Sequence, residues 1–312
     1  MNRLLSANFT RLRKSKVFWL GVIAMIGFGA FLPISNYMDE IRFREFTDYE
    51  FTNPFDNVLF GYSLAIGVLC AIFISLFLGT EYSDGTIRNK LIVGKTRASI
   101  YFSNLITNIA AALFMCLCYL GSVCAVGIPL CDKIDMEISL VLKIIAASLV
   151  MVIAFCSVCT MLSMIIQSKA IMAIISITSI FVLMFGSAII SDRLNQPKNF
   201  VYSEITDGVE KVISEPNSYY VGGTKRKVYI FLNDFLPTSQ SIKFYQNSAL
   251  NVEEDDKSEN QTLNTDISAD ENILNMIEEK ESHLWTLVLY SSINIVITTA
   301  IGLFVFQKKN IK

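Results

Sequence analysis

Residues 79–104 read GTEYSDGTIRNKLIVGKTRASIYFSN. This charged stretch interrupts two long apolar runs, and the fold turns on what those runs are. The run before it, 57–79, holds no charged residue, and neither does the run after it, 100–130. A bilayer core of ~30 Å needs about 20 apolar residues in helical form. Both runs meet that requirement, so the stretch reads as a short loop between two membrane spans.

Four further segments reach or approach the same length: 17–33, 138–166 with Lys143 near its start, 170–190, and 284–306. Composition agrees. The chain is 53% hydrophobic and only 17% charged, against about 25% charged in a soluble domain. Its net charge of −2 offers no basic surface for nucleic acid.

Lys and Arg gather in loops on the cytoplasmic side of a membrane. Here they gather before the first span (Arg3, Arg11, Arg13, Lys14, Lys16), after the second (Arg88, Lys90, Lys95, Arg97), between the fourth and fifth (Lys169) and after the sixth (Lys308, Lys309, Lys312). Those four places alternate along six spans and fall on one side. Both termini and the opening stretch are therefore expected in the cytoplasm. The opposite loops carry Asp39, Glu40, Glu45, Asp48 and Glu50, then Asp132, Asp135 and Glu137. A basic start before an apolar run can also be a signal peptide. The segment Gly29-Ala30-Phe31-Leu32 is a poor cleavage site, and an uncleaved first span is expected.

Residues 1–16 read as an amphipathic helix lying in the membrane interface, with Leu5, Phe9 and Leu12 on one face. Residues 191–283 form a large acidic loop on the opposite side, with 17 acidic and 9 basic residues. Within it, Gly222-Gly223 marks a turn, and 228–232 suits a strand or a membrane-edge helix. Pro237 restarts a helix, and 251–272 is polar and flexible. Helical periodicity resumes at Ile273, Leu274 and Ile277.

The sequence excludes several chemistries. All seven cysteines lie in or beside spans, so no disulfide framework holds the large loop. Cys156 and Cys159 read as packing residues. The lone histidine, His283, reads as a tolerated polar residue at the outer edge of the sixth span. No cluster has zinc-ligand spacing. No acidic residue is expected within a span, which removes both an intramembrane hydrolase and a proton- or sodium-coupled pump. Gly94-Lys95-Thr96 imitates the end of a phosphate-binding loop, but such a loop needs a glycine five residues earlier. That position is Asn89.

A mechanical role fits the opening stretch better. Asp84 is placed to cap a short helix. The run 86–93 is helical, with its basic residues toward the C-terminal half, and Gly94 supplies the stop. The result is a rigid element of ~12 Å, able to press on a partner and move both spans.

At Glu81-Tyr-Ser-Asp-Gly85-Thr86-Ile-Arg88 the chain resembles the permease subunits of ABC transporters of the ABC type-2 family. The resemblance covers the six-span layout, the basic amphipathic start and this loop. It implies that about 81–94 is a coupling helix docking on a separate ATPase, with Glu81, Asp84, Gly85, Thr86, Arg88 and Lys90 in or beside that contact. Residues 1–16 would match the family's connecting helix, and 233–240 is similar to a re-entrant segment before the last span. The resemblance further implies two permease copies, as a homodimer, with two copies of the ATP-binding subunit. ATP and Mg²⁺ are bound by that partner, and this chain holds no cofactor.

The expectation is thus an all-α membrane protein with six transmembrane helices. It has an amphipathic connecting helix (1–16), spans one to five (17–190), an extracellular loop (191–283), a sixth span (284–306) and a cytoplasmic tail (307–312). It would sit in the plasma membrane of a bacterium and export a peptide toxin, an antimicrobial peptide or a lipophilic drug. It would contact membrane lipid and no nucleic acid, and perform no enzymatic step of its own. The alternative is a membrane sensor or scaffold whose outer loop binds a ligand without transporting it.

Overall fold

A computed structural model describes residues 1–46, 54–134, 136–166, 168–206, 209–246 and 269–309. Helix α1 (Asn2–Lys14) is followed by α2 (Lys16–Phe46), the short α3 (Asp56–Leu59), α4 (Tyr62–Ser83) and α5 (Thr86–Ile92). Then come α6 (Arg97–Leu130), α7 (Ile138–Ile165) and α8 (Lys169–Leu194). A hairpin of β1 (Asn199–Thr206) and β2 (Val209–Pro216) precedes α9 (Gly223–Phe235), α10 (Pro237–Tyr245) and α11 (Ala269–Lys308).

Six of these helices are long and apolar enough to cross a membrane: α2, α4, α6, α7, α8 and the part of α11 from His283. The chain is an all-α membrane protein with six candidate spans. Helix α4 is the most enclosed, packing on α2, α6, α7 and α8. Apolar helices gain little from leaving lipid for one another, so close fit and interhelical hydrogen bonds hold such a bundle. Gly67 sits beneath the Phe155 ring, Asn108 Nδ2 donates to Thr160 Oγ1 at 2.9 Å, and the Ser157 hydroxyl meets those of Thr298 and Thr299 at 2.6 and 3.0 Å.

The helices alternate in direction, so one end of the bundle collects α1, α5, the start of α6 and the end of α11. There Arg97 donates to the carbonyls of Phe306, Gln307 and Lys309, capping the last turn of α11. Tyr82 Oη donates to the Met164 carbonyl at 3.1 Å, tying α4 to α7.

At the far end the chain turns back among the spans. Pro237 opens α10 at its first turn, where a missing N–H costs nothing. Helix α10 packs on α4, α7 and α8, and nearly every residue in it is buried. Ser63 donates to the Ser241 carbonyl at 2.9 Å, and Thr238 and Ser239 both meet Ser187 at 2.8 Å. Segment 228–232 lies inside α9 and is helical.

Several expectations need correction. The first span does not stop near Pro33; α2 runs on to Phe46. Asp39, Glu40 and Glu45 therefore ride on a helix, not in a loop, and Arg44 pairs with Glu40 one turn back at 2.7 Å. The buried stripe of α1 is Leu4, Asn8 and Leu12, not Leu5, Phe9 and Leu12, and it faces α6. His283 is not a bystander: it is buried and lies 3.5 Å from Asp234, which also accepts a 2.9 Å bond from Lys243. The β1–β2 hairpin was not foreseen. The flexible segment foreseen at 251–272 falls mostly outside the described residues. Each described cysteine is a free thiol.

Candidate functional site

The backbone between α4 and α6 explains its own shape. Helix α4 ends at Ser83, with Asp84 as its C-cap. Gly85 follows in the left-handed region at φ 67° and is the N-cap of α5. Only glycine enters that region without a steric cost. Two residues, Asp84 and Gly85, thus separate the helices, and Gly85 turns the chain sharply between them. Asp84 therefore does not cap α5 as expected, because the preceding helix claims it; its carboxylate instead accepts from the Ser83 hydroxyl at 3.3 Å.

Helix α5 stops in a complete Schellman motif. The Gly94 N–H bonds the Leu91 carbonyl at 2.9 Å, and the Lys95 N–H bonds the Lys90 carbonyl at 3.1 Å. Gly94 has φ 83°, as this cap requires. Thr96 then caps α6, accepting from the Ser99 N–H at 3.3 Å.

Glu81 lies in the last turn of α4 and is 1% exposed. The expectation that no acidic residue lies within a span fails here, because α4 carries its helix past Gly79. One oxygen of Glu81 takes Arg11 of α1 and Lys90 of α5. The other accepts from Asn104 Nδ2 of α6 at 3.0 Å. Asn8 of α1 closes the set, donating to Asn104 Oδ1 at 2.7 Å and to Ser103 Oγ at 3.3 Å. It also accepts from Lys90 Nζ at 3.1 Å. Arg11 lies 3.7 Å over the Phe77 ring and donates to the Phe77 carbonyl at 3.1 Å. Burial pushes the Arg11 guanidinium below its ordinary value, while the charge and hydrogen bond of Glu81 and the charge of Asp84 oppose that shift. A carboxylate this buried is tolerable only when paired and hydrogen-bonded. Here it fastens four helices at one point.

Of the residues singled out by sequence, the structure brings Glu81 and Lys90 together. It places Asp84 and Arg88 on the surface. Gly85 serves the backbone, and Thr86 opens α5. Sequence reasoning missed Arg11, Asn8, Ser103 and Asn104. One signal was present: Asn8 is a polar residue in register with Leu4 and Leu12 on an otherwise apolar stripe. The outer face of α5 presents Arg88 and Asn89, and Ile92 and Val93 beside them are each 75% exposed.

Among the described residues no group of His, Cys, Asp and Glu could hold a metal. The structure is a bundle of apolar spans with a short helix fastened at one end. Residues 4–186 match the family model of the ABC-2 family transporter protein, and the chain belongs to that family. No curated protein matches it. The chain is therefore a membrane component of an ABC transporter, a type of subunit that associates with a separate ATP-binding subunit.

Proposed function

We propose that the chain is the permease of an ATP-driven exporter and that α5 is the surface on which the ATPase acts. The observation that carries this reading is the Glu81 junction. It makes α5 continuous with α1, α4 and α6 through buried charged bonds, while Arg88, Asn89, Ile92 and Val93 stay exposed. A push on that exposed face reaches three helices without deforming α5.

Arg88 and Asn89, with the exposed pair Ile92 and Val93, form the contact. Glu81 and Lys90 position it from beneath, and Gly85 sets its angle. Two copies of the chain pair with two ATPases, and both termini face the cytoplasm. The family resemblance supports outward transport. Cargo is amphipathic or hydrophobic, either a peptide or a lipophilic drug, because the spans offer small polar and apolar side chains and few charges.

Co-purification with the ATPase encoded beside it tests this reading. The wild-type chain should retain the ATPase and stimulate its turnover when cargo is added. Arg88→Ala and Ile92→Asp, both on the exposed face, should lower retention. Glu81→Ala should retain the ATPase but lose the stimulation. Failure of the wild-type chain to hold any ATPase under gentle extraction overturns the reading. Ligand binding by the outer loop without one would point to a sensor instead.

A further inference from the structure

The chain bends between α1 and α2 at Ser15, whose backbone is extended at φ −75° and ψ 118°. The Ser15 hydroxyl accepts from the Phe18 N–H at 3.4 Å and so opens α2. At this elbow three cations, Arg13, Lys14 and Lys16, lie within four residues, and all three are exposed. Among the described residues no carboxylate pairs with any of them. Trp19, in the first turn of α2, donates its indole N–H to the Arg13 carbonyl at 2.9 Å. Beyond the elbow α2 exposes Trp19, Leu20 and Ile23. With Lys16 these follow i, i+3, i+4, i+7 and form one stripe, along the span that begins at Lys16.

We propose that this elbow binds an anionic phospholipid of the leaflet on the α5 side, with its phosphate among Arg13, Lys14 and Lys16 and one acyl chain along the exposed stripe of α2. Three observations converge on that occupant. First, the charge is unanswered within the chain. Other cations at the same end are taken: Arg11 and Lys90 by Glu81, and Arg97 by the carbonyls that end α11. Second, the depth is right. An aromatic ring at the start of a span marks the headgroup level, and the indole bond to the Arg13 carbonyl holds the end of α1 at the level of Trp19. Lys16 can lay its stem along the span and extend its amine to the same level. Third, the cations lead straight into an apolar stripe that lies within the membrane. The occupant is therefore anionic at one end and apolar along its length, which describes a lipid and not the acidic surface of a soluble subunit. The site does not depend on the role given to α5.

The chain itself supplies a probe, because it has two tryptophans. Trp285→Phe leaves Trp19, beside the elbow, as the sole indole. That full-length variant is reconstituted in phosphatidylcholine vesicles containing a minor fraction of chain-brominated phosphatidylglycerol or, separately, chain-brominated phosphatidylcholine. Quenching of Trp19 should favour the anionic lipid by about tenfold or more in apparent affinity, since each basic residue at a membrane surface is worth roughly fivefold. The preference should shrink as salt is raised. Replacing Arg13, Lys14 and Lys16 together by Gln should abolish it but keep quenching by phosphatidylcholine. Where that triple variant fails to insert, Lys14→Gln and Lys16→Gln singly should each cut the preference by roughly fivefold, and Lys16→Arg should preserve it. Equal quenching by the two lipids, or a preference that survives these neutral substitutions, overturns the proposal. So does an absence of quenching by either lipid, which would mean that a protein surface covers the elbow. The ATPase encoded beside the chain, when added, should leave the preference intact; its loss would assign the three cations to that subunit and overturn the lipid site.

Discussion

Glu81 shows how one carboxylate can be placed inside a membrane protein at tolerable cost. Each of its oxygens has a partner, and those partners come from three helices other than its own. Glu81→Gln keeps the shape but leaves Arg11 and Lys90 facing each other without an anion. Removing one member of a buried ionic set costs about 3 kcal/mol or more, so the variant should unfold at clearly lower temperature in detergent. Asp234 permits a test with pH. Burial alone would raise its carboxyl, but the hydrogen bond from His283 and the charges of Lys243 and His283 prevail and hold it below the usual value of 3.8. A depressed carboxylate contributes stability that is complete above the unfolded value and disappears as pH falls through the folded one. Thermal stability should therefore drop on acidification through that range, and Asp234→Asn should flatten that part of the profile. The cluster was not legible beforehand: His283 has no local sequence context to name its partner. Arg11 and Glu81 are likewise far apart in the chain and belong to different periodic patterns.

At the scale of elements, α5 is defined more by its two glycines than by its helical residues. Gly85 and Gly94 both adopt positive φ, and a Cβ at either would meet nothing within 4 Å. The strain of an alanine there is thus purely conformational, ~1–2 kcal/mol each. Gly85→Ala and Gly94→Ala should each lower the melting temperature, and Gly85→Asn should be milder because asparagine tolerates the left-handed region. Loss of ATPase stimulation with little loss of thermal stability would indicate that the angle of α5, and not the fold, had been disturbed. The stop at Gly94 was legible, since glycine after a basic helical run is a local signal. The start was misread at Asp84, because sequence does not say how far α4 extends, and an Asp between two helices can belong to either. The β1–β2 hairpin was missed for a similar reason: its residues alternate only weakly and carry charges on both strands.

Across the whole molecule, the six spans were legible because lipid demands a minimum apolar length and tolerates few charges within it. Their packing was not, since small residues and hydroxyls in a span look alike whether they face lipid or a neighbour. The alternation of Lys and Arg predicts that both ends of the chain are cytoplasmic. A fluorescent protein fused after Lys312 should be bright in the cell, and an alkaline phosphatase inserted within 251–268 should be active outside it; the reverse pattern would invert the topology. The order in which the chain is made adds a constraint. Gln240, in the middle of α10, donates to the Asp234 and Leu287 carbonyls at 2.6 and 3.3 Å and accepts from Ser291 at 2.6 Å. Leu287 and Ser291 belong to α11, which leaves the ribosome after α10. Until α11 inserts, the amide of α10 has no complete set of partners, and hydrocarbon makes each missing bond expensive. Seating α10 and inserting α11 are thus one step of biosynthesis, and a chain truncated before 284 carries an exposed polar helix that marks it as unfinished.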